Sequence, residues 1–403
     1  MQSSRTSYAT HRAAERAQPT LAPRVQGGIL ASALALFALL LAATAGQGWR
    51  MPTLAALGFL IGATLYHSAF GFTAAYRRLI LQRDVAGVQA QLAMVALATV
   101  LFAPVLAAGS IFGREVVGAV APVGLQVAVG ASMFGIGMQL AGGCGSGTLY
   151  TAGGGNPRMI VVLAAFCAGS FRASLDTERW ENLPSWSAIA LGEALGWPIA
   201  VIVQLAVVAV LWIALGRFAR GQAPFAASAA PGGARILSGP WLLVAGALLL
   251  ALLNFLVLIV AGHPWNITWA FALWGAKFAL LFGWDPGATS FWNAEFQRSA
   301  LGSGVLQDVT SVTDIGIVVG ALGAAAAAGR FAPQLALPWR PAAAAVIGGL
   351  AMGYGARIAY GCNIGAFFSG VASTSLHGWL WILAALAGTS LGVRMRPWFG
   401  LRN

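Results

Sequence analysis

Three cysteines occur in 403 residues, and two of them stand in the same local setting. Cys144 lies in LAGGCGSGTLYTAGGG (residues 140–155), and Cys362 lies in GARIAYGCNIGAFFSG (residues 355–370). Both follow the pattern Gly-Cys-x-x-Gly, with Gly143, Cys144, Gly145 and Gly147 in the first and Gly361, Cys362, Asn363 and Gly365 in the second. A single buried thiol is most often an inert small hydrophobe. A matched pair at glycine-permitted breaks points to chemistry. Sulfur is soft and polarizable and S–H is a weak donor, which suits a soft sulfur-bearing species held briefly, since tight binding would stop transit. Apolar residues after each break can start a short helix whose free N–H groups and dipole favour an anion. Arg357, five residues before Cys362, adds positive charge near such a path.

Other chemistries fit these residues less well. G-x-x-x-x-G-T at residues 142–148 resembles a phosphate loop but lacks its lysine, which argues against nucleotide binding. Two cysteines without a nearby His, Cys or carboxylate do not complete a tetrahedral zinc site. A transient Cys144–Cys362 disulfide stays open, because sequence gives no distance. Cys167, in LAAFCAGS, has no counterpart and no break beside it and reads as core packing.

These motifs must sit on membrane helices. The chain is 59% hydrophobic and 8% charged, with mean hydropathy +0.78, far from the roughly 25% charge of a soluble domain. Apolar runs recur at 28–44, 91–108, 188–215, 241–261, 315–329 and 342–358, many near the ~20 residues that cross a bilayer. The net charge of +12 comes without an aromatic-interleaved basic stripe and so does not imply nucleic acid. Its arginines gather at stations between spans: Arg5 to Arg24, Arg77 to Arg83, Arg217 to Arg235, Arg330 to Arg340 and Arg394 to Arg402. The positive-inside rule places these in the cytoplasm and the acidic loop with Asp176, Glu178 and Glu181 outside. The first apolar run is longer than a signal-peptide core and reads as an uncleaved span, with a cleaved signal as the alternative.

The motif region is repeated. FGIGMQLAGGCGSGTLY (134–150) aligns with MGYGARIAYGCNIGAFF (352–368) at the offset that separates Cys144 from Cys362. The matches are Gly135/Gly353, Gly137/Gly355, Ala141/Ala359, Gly143/Gly361, Cys144/Cys362 and Gly147/Gly365. Loop charge sends 89–108 outward, 120–142 inward and 342–360 outward, so the motif helices are antiparallel. That is the inverted-repeat plan of many transporters. The expected fold is an all-α polytopic membrane protein of two inverted halves. It has about nine to eleven helical segments, including short half-membrane helices or re-entrant hairpins. Its expected divisions are a cytoplasmic basic tail (1–26), an N-terminal membrane half (27–215), a cytoplasmic linker (216–239) and a C-terminal membrane half (240–403). Asn156-Pro157 starts a helix as cap and first residue, which is expected to end near Gly169 after roughly 20 Å. Glu193 and Lys277 lie inside apolar sequence and read as a structural pair, with snorkelling the alternative for Lys277.

The two cysteine motifs are similar to the paired signatures of the YeeE/YedE family of bacterial inner-membrane proteins, over about residues 58–398. The resemblance implies inverted halves whose helical hairpins meet near the membrane centre. It also implies thiosulfate uptake, with cysteines along the path holding the ion through S–H hydrogen bonds, and it carries those roles to Cys144 and Cys362. HSAFGFTAAYRRL (67–79) matches the family's N-terminal motif except at Gly71, where the family has a cysteine.

The resulting expectation is a transporter or facilitator, not an enzyme, that needs no cofactor and resides in the bacterial inner membrane. Its substrate path runs past Cys144, Cys362, Gly143, Gly145, Gly147, Gly361, Asn363, Gly365 and Arg357. Its partners are thiosulfate or a related sulfur or selenium species, the lipid bilayer and, as a candidate, a cytosolic sulfur-carrier protein. The alternative is a membrane sulfur-transfer protein that carries a cysteine persulfide, which requires an activated thiolate.

Overall fold

The computed structural model describes residues 24–219, 237–333 and 336–403. Most of the expected linker and basic tail therefore lies outside the described residues. The first half contains α1 (Gly27–Ala45), α2 (Arg50–Ser68), α3 (Phe72–Gln82), α4 (Ala86–Ala108) and α5 (Leu125–Ala141). It continues with α6 (Gly145–Gly153), α7 (Pro157–Ser174) and α8 (Trp197–Phe218). The second contains α9 (Leu243–Ala261), α10 (Thr268–Leu280), α11 (Val309–Ala327), α12 (Trp339–Ile358), a π-helical segment (Asn363–Ser369) and α13 (Leu376–Met395). Among the described residues, eight helices or near-continuous helix pairs are long and apolar enough to cross a membrane. The count is nine if α12 and the bent segment after it form one span. This is an all-α polytopic membrane protein.

The two halves pack as an exchange of partners. α5 lies on α12, α5 also lies on α13, and α12 lies on α7. Likewise α2 pairs with α11 while α9 pairs with α4. The α5–α12 crossing shows the internal symmetry at atomic scale. A Cβ added to Gly137 would lie 2.6 Å from the Gly348 carbonyl oxygen, and one on Gly348 would lie 2.6 Å from that of Gly137. Gly130 and Gly355 oppose each other in the same way. Gly130/Gly348 and Gly137/Gly355 share the sequence offset of the cysteines, so equivalent residues meet each other's partners across an antiparallel crossing. Small residues allow this approach where lipid supplies no hydrophobic drive between helices. Gly135 likewise rests on Ala385 and Thr389 of α13, and its equivalent Gly353 rests on Phe166 and Ser170 of α7.

Side-chain contacts define the two ends. At the Arg-rich end, Arg158 donates to the carbonyls of Leu140 (2.6 Å) and Pro341 (3.3 Å), and Arg396 donates to that of Gln139 (2.6 Å). At the other end, Asp176 accepts from Tyr354 (3.0 Å) and pairs with Arg172 (2.6 Å) and Arg179 (3.2 Å). Three sequence expectations change. α7 continues to Ser174 because Arg172 does not stop it: its side chain reaches Asp176 one turn on. α8 extends through Phe218, so the first residues of the expected linker are helical. α5 begins only at Leu125, because Pro122–Gly124 pairs as a strand with Ser185–Ala188.

Candidate functional site

The two cysteines occupy the same structural position. After α5, Gly142 turns the chain with φ 89°, and Cys144, extended at φ −85° and ψ −167°, precedes α6. Its carbonyl accepts from the Thr148 N–H and from the Thr148 hydroxyl, both at 2.8 Å. After α12, Gly361 turns at φ 148°, and Cys362, extended at φ −110° and ψ −166°, precedes the π-helical segment. The Ile364 N–H donates to Cys362 Sγ at 3.5 Å, and Cys144 Sγ lies 3.4 Å from Ser146 Oγ. Both thiols are buried and free. The positive φ at Gly142 and Gly361 is what favours glycine in these turns.

The two breaks meet. A Cβ on Gly145 would lie 3.3 Å from Cys362 Sγ, so the start of α6 touches the second cysteine directly. A Cβ on Gly147 would lie 3.6 Å from Cys144 Sγ, and one on Gly143 would press on the backbone of Gly147 and Thr148. Asn363 Nδ2 donates to Tyr76 Oη at 3.4 Å, which ties the second break to α3. Asn266 caps the start of α10 by accepting from the N–H groups of Ile267 (2.7 Å) and Thr268 (3.2 Å). Its Oδ1 lies 3.1 Å from a Cβ built on Gly365.

A cavity of about 720 Å³ reaches Gly365 from the acid-bearing end. Arg50, His263, Asn266, Asp308, Arg357 and His377 are on its wall. Arg357 is held 4.3 Å from the Phe291 ring centroid, and its Nε has no hydrogen-bond partner among the described residues. Burial, followed by the charge of Arg50, holds His263 below the usual histidine range despite its contact with the Pro264 carbonyl, so Arg50 and Arg357 supply the positive charge. A smaller cavity of about 250 Å³ opens at the Arg-rich end beside Gly155, Asn156 and Arg158. No cysteine lines either cavity.

A family model described as sulphur transport matches residues 67–391. The chain belongs to the sulphur-transport family. It is similar to the thiosulfate transporter TsuA of Spirochaeta thermophila, with 27% identity over 347 residues, covering 80% of this chain and 92% of that protein. It is 30% identical over 135 residues to the probable transporter YedE of Escherichia coli, covering 34% of this chain and 33% of that protein. YedE of Salmonella typhimurium matches over the same extent, so the chain spans about a third of the length of these two relatives.

The structure brings the two motifs into contact where Gly145 meets Cys362. Gly143 and Gly147 pack within the first break, Gly361 packs within the second, Gly365 lies beside Asn266 and Asn363 bonds Tyr76. Arg357 stands apart from the thiols on the wall of the larger cavity. Gly71 precedes α3, and a Cβ there would lie 3.5 Å from Tyr150 Oη. Cys167 sits on α7, and a Cβ on Gly275 would press on its carbonyl oxygen at 2.6 Å. The Glu193–Lys277 pair does not form. Lys277 donates to the carbonyls of Leu301 (2.8 Å) and Ser303 (2.6 Å), while Glu193 lines a separate cavity with Glu115 and Trp197. Sequence reasoning missed Asn266 and Tyr76. A signal for Asn266 existed in PWNIT, a cap residue before an apolar helix.

Proposed function

We propose that this protein takes up a small sulfur-containing anion, with thiosulfate the best fit, across the bacterial inner membrane. The observation that carries the reading is the meeting of two cysteine-headed helix starts beyond the floor of an arginine-bearing cavity. An anion entering that cavity meets Arg50 and Arg357 first. It then reaches the floor at Gly365 and Asn266, beside the first N–H groups of the π-helical segment. The Cys362 and Cys144 thiols come next, each able to turn S–H toward sulfur or oxygen of the ion. Such contacts are individually weak, which lets the ion pass from one break to the other. Beyond Cys144, the arginines of the opposite end attract the ion and suit an acidic sulfur-carrier protein that receives it.

The persulfide alternative is less well supported, because the polar neighbours of the thiols are the Ser146 hydroxyl and the Ile364 N–H rather than a base or cation. Labelled thiosulfate uptake into proteoliposomes tests the proposal. Wild type is expected to accumulate label, and Cys144→Ala with Cys362→Ala together is expected to fall to the level of protein-free vesicles. Undiminished uptake by the double variant would remove the thiols from the mechanism.

A further inference from the structure

Asp314 is fully buried inside α11, and neither of its carboxylate oxygens has a hydrogen-bond partner among the described residues. It lies six residues past the Asp308 cap, roughly 9 Å into the helix. Ionisable groups at such depth are costly and mark ion or proton pathways. Helical spacing fixes its direction. Thr313 and Ile317 back onto Gly58 and Gly62 of α2, whereas Ser311 accepts from Trp274 of α10 at 2.9 Å and Val318 backs onto Gly153 of α6. Asp314 is three residues from both Ser311 and Ile317 and four from Val318, so it lies between the face toward α2 and the face toward α10 and α6. Cys362 and Cys167 lie within its electrostatic reach, as does Asp308.

From these positions we propose that Asp314 is a proton-binding site and that the protein is a proton–anion symporter. The inference rests on the anion-uptake reading. An ionised Asp314 would repel an anion at Cys362, so the ion passes only while the carboxyl carries a proton. The proton binds the carboxylate from the cavity bordered by Asp308 and Thr310 and leaves at the Arg-rich end, with no change of oxidation state. The other titratable groups on packed elements do not neutralise Asp314. Lys277 of α10 is bound to the carbonyls of Leu301 and Ser303, Arg50 of α2 donates to the carbonyls of Val260 and Ala261, and Tyr66 and His67 stand at the far end of α2. Tyr150 of α6 is uncharged at neutral pH, and α1 carries no titratable side chain.

The test uses full-length protein in proteoliposomes with the membrane potential clamped. An inward gradient of one pH unit is expected to raise the accumulation ratio of thiosulfate about tenfold for one proton per ion. Thiosulfate added outside is expected to acidify the lumen. Asp314→Asn is expected to lose both responses while retaining wild-type thermal stability. Infrared difference spectra at neutral pH should show a protonated carboxyl band in wild type that Asp314→Asn lacks and that thiosulfate perturbs. Uptake by wild type without dependence on the pH gradient overturns the proposal, as does a proton response that survives in Asp314→Asn. If Asp314→Asn does not fold, the wild-type gradient and lumen-pH measurements decide alone. Absence of any thiosulfate flux would overturn the uptake reading instead, and the infrared band then decides the proton site: its presence supports it and its absence overturns it.

Discussion

The cysteines matter less as isolated thiols than as matched residues at the heads of two short helices. Each is extended at nearly the same ψ, follows a turn that contains a glycine with positive φ and sits beside small residues that admit the other break. Gly71 tests whether thiol number sets selectivity. Its φ of −153° is ordinary extended backbone, and the nearest atom to an added Cβ is Tyr150 Oη at 3.5 Å. Gly71→Cys is therefore expected to fold with stability within about 0.5 kcal/mol of wild type. It should also raise the initial rate of thiosulfate uptake relative to that of sulfate. Competition uptake and thermal melts of the purified protein check both halves of this expectation.

At the scale of elements, the α5–α12 crossing holds the two breaks in register. It relies on Gly130, Gly137, Gly348 and Gly355, where backbone meets backbone too closely for a side chain. Gly137→Ala is expected to cost about 1–3 kcal/mol through overpacking and to lower uptake by separating the breaks. Gly216→Ala provides the contrast, since no atom lies within 4 Å of an added Cβ there. At that helical position alanine is expected to be neutral or to stabilise by up to about 1 kcal/mol. Thermal melts of the two variants in one detergent distinguish packing from propensity. An equal loss in both would contradict the role given to the crossing.

Across the whole molecule, the halves are tied together at the end opposite the arginine stations. Trp180 donates to Tyr354 at 2.9 Å, and Tyr354 donates to Asp176, joining the loop after α7 to α12 of the other half. Burial opposes ionisation of Asp176. The hydrogen bonds from Arg172 and Tyr354 and the charges of Arg172 and Arg179 outweigh it and hold the carboxyl below its usual range. The group therefore stabilises the fold above its unfolded value of about 3.9. That contribution is lost as pH falls through the lower folded value. Both arginines are largely exposed, so the contribution is about 1 kcal/mol or less. Asp176→Asn is expected to lower the melting temperature slightly at pH 7 and to match wild type in strong acid. A pH series of melts measures the convergence.

The membrane class, the antiparallel repeat and the two cysteine breaks are legible in the residues alone. Hydropathy, loop charge and the conformational freedom of glycine are local properties, readable without knowing what touches what. Lengths and partners were less legible. Arg172 looked like the polar end of a short helix, yet it continues α7 because its charge reaches Asp176. Glu193 and Lys277 share an intramembrane appearance in the sequence, but they do not meet, and Lys277 donates to the carbonyls of Leu301 and Ser303. Folding is what brings Gly145 to Cys362, sets Asn266 and Tyr76 beside the second break and buries Asp314 without a hydrogen-bond partner among the described residues. Those facts depend on where glycine-lined helices cross and which faces they turn inward, and residues far apart in the chain set that geometry together.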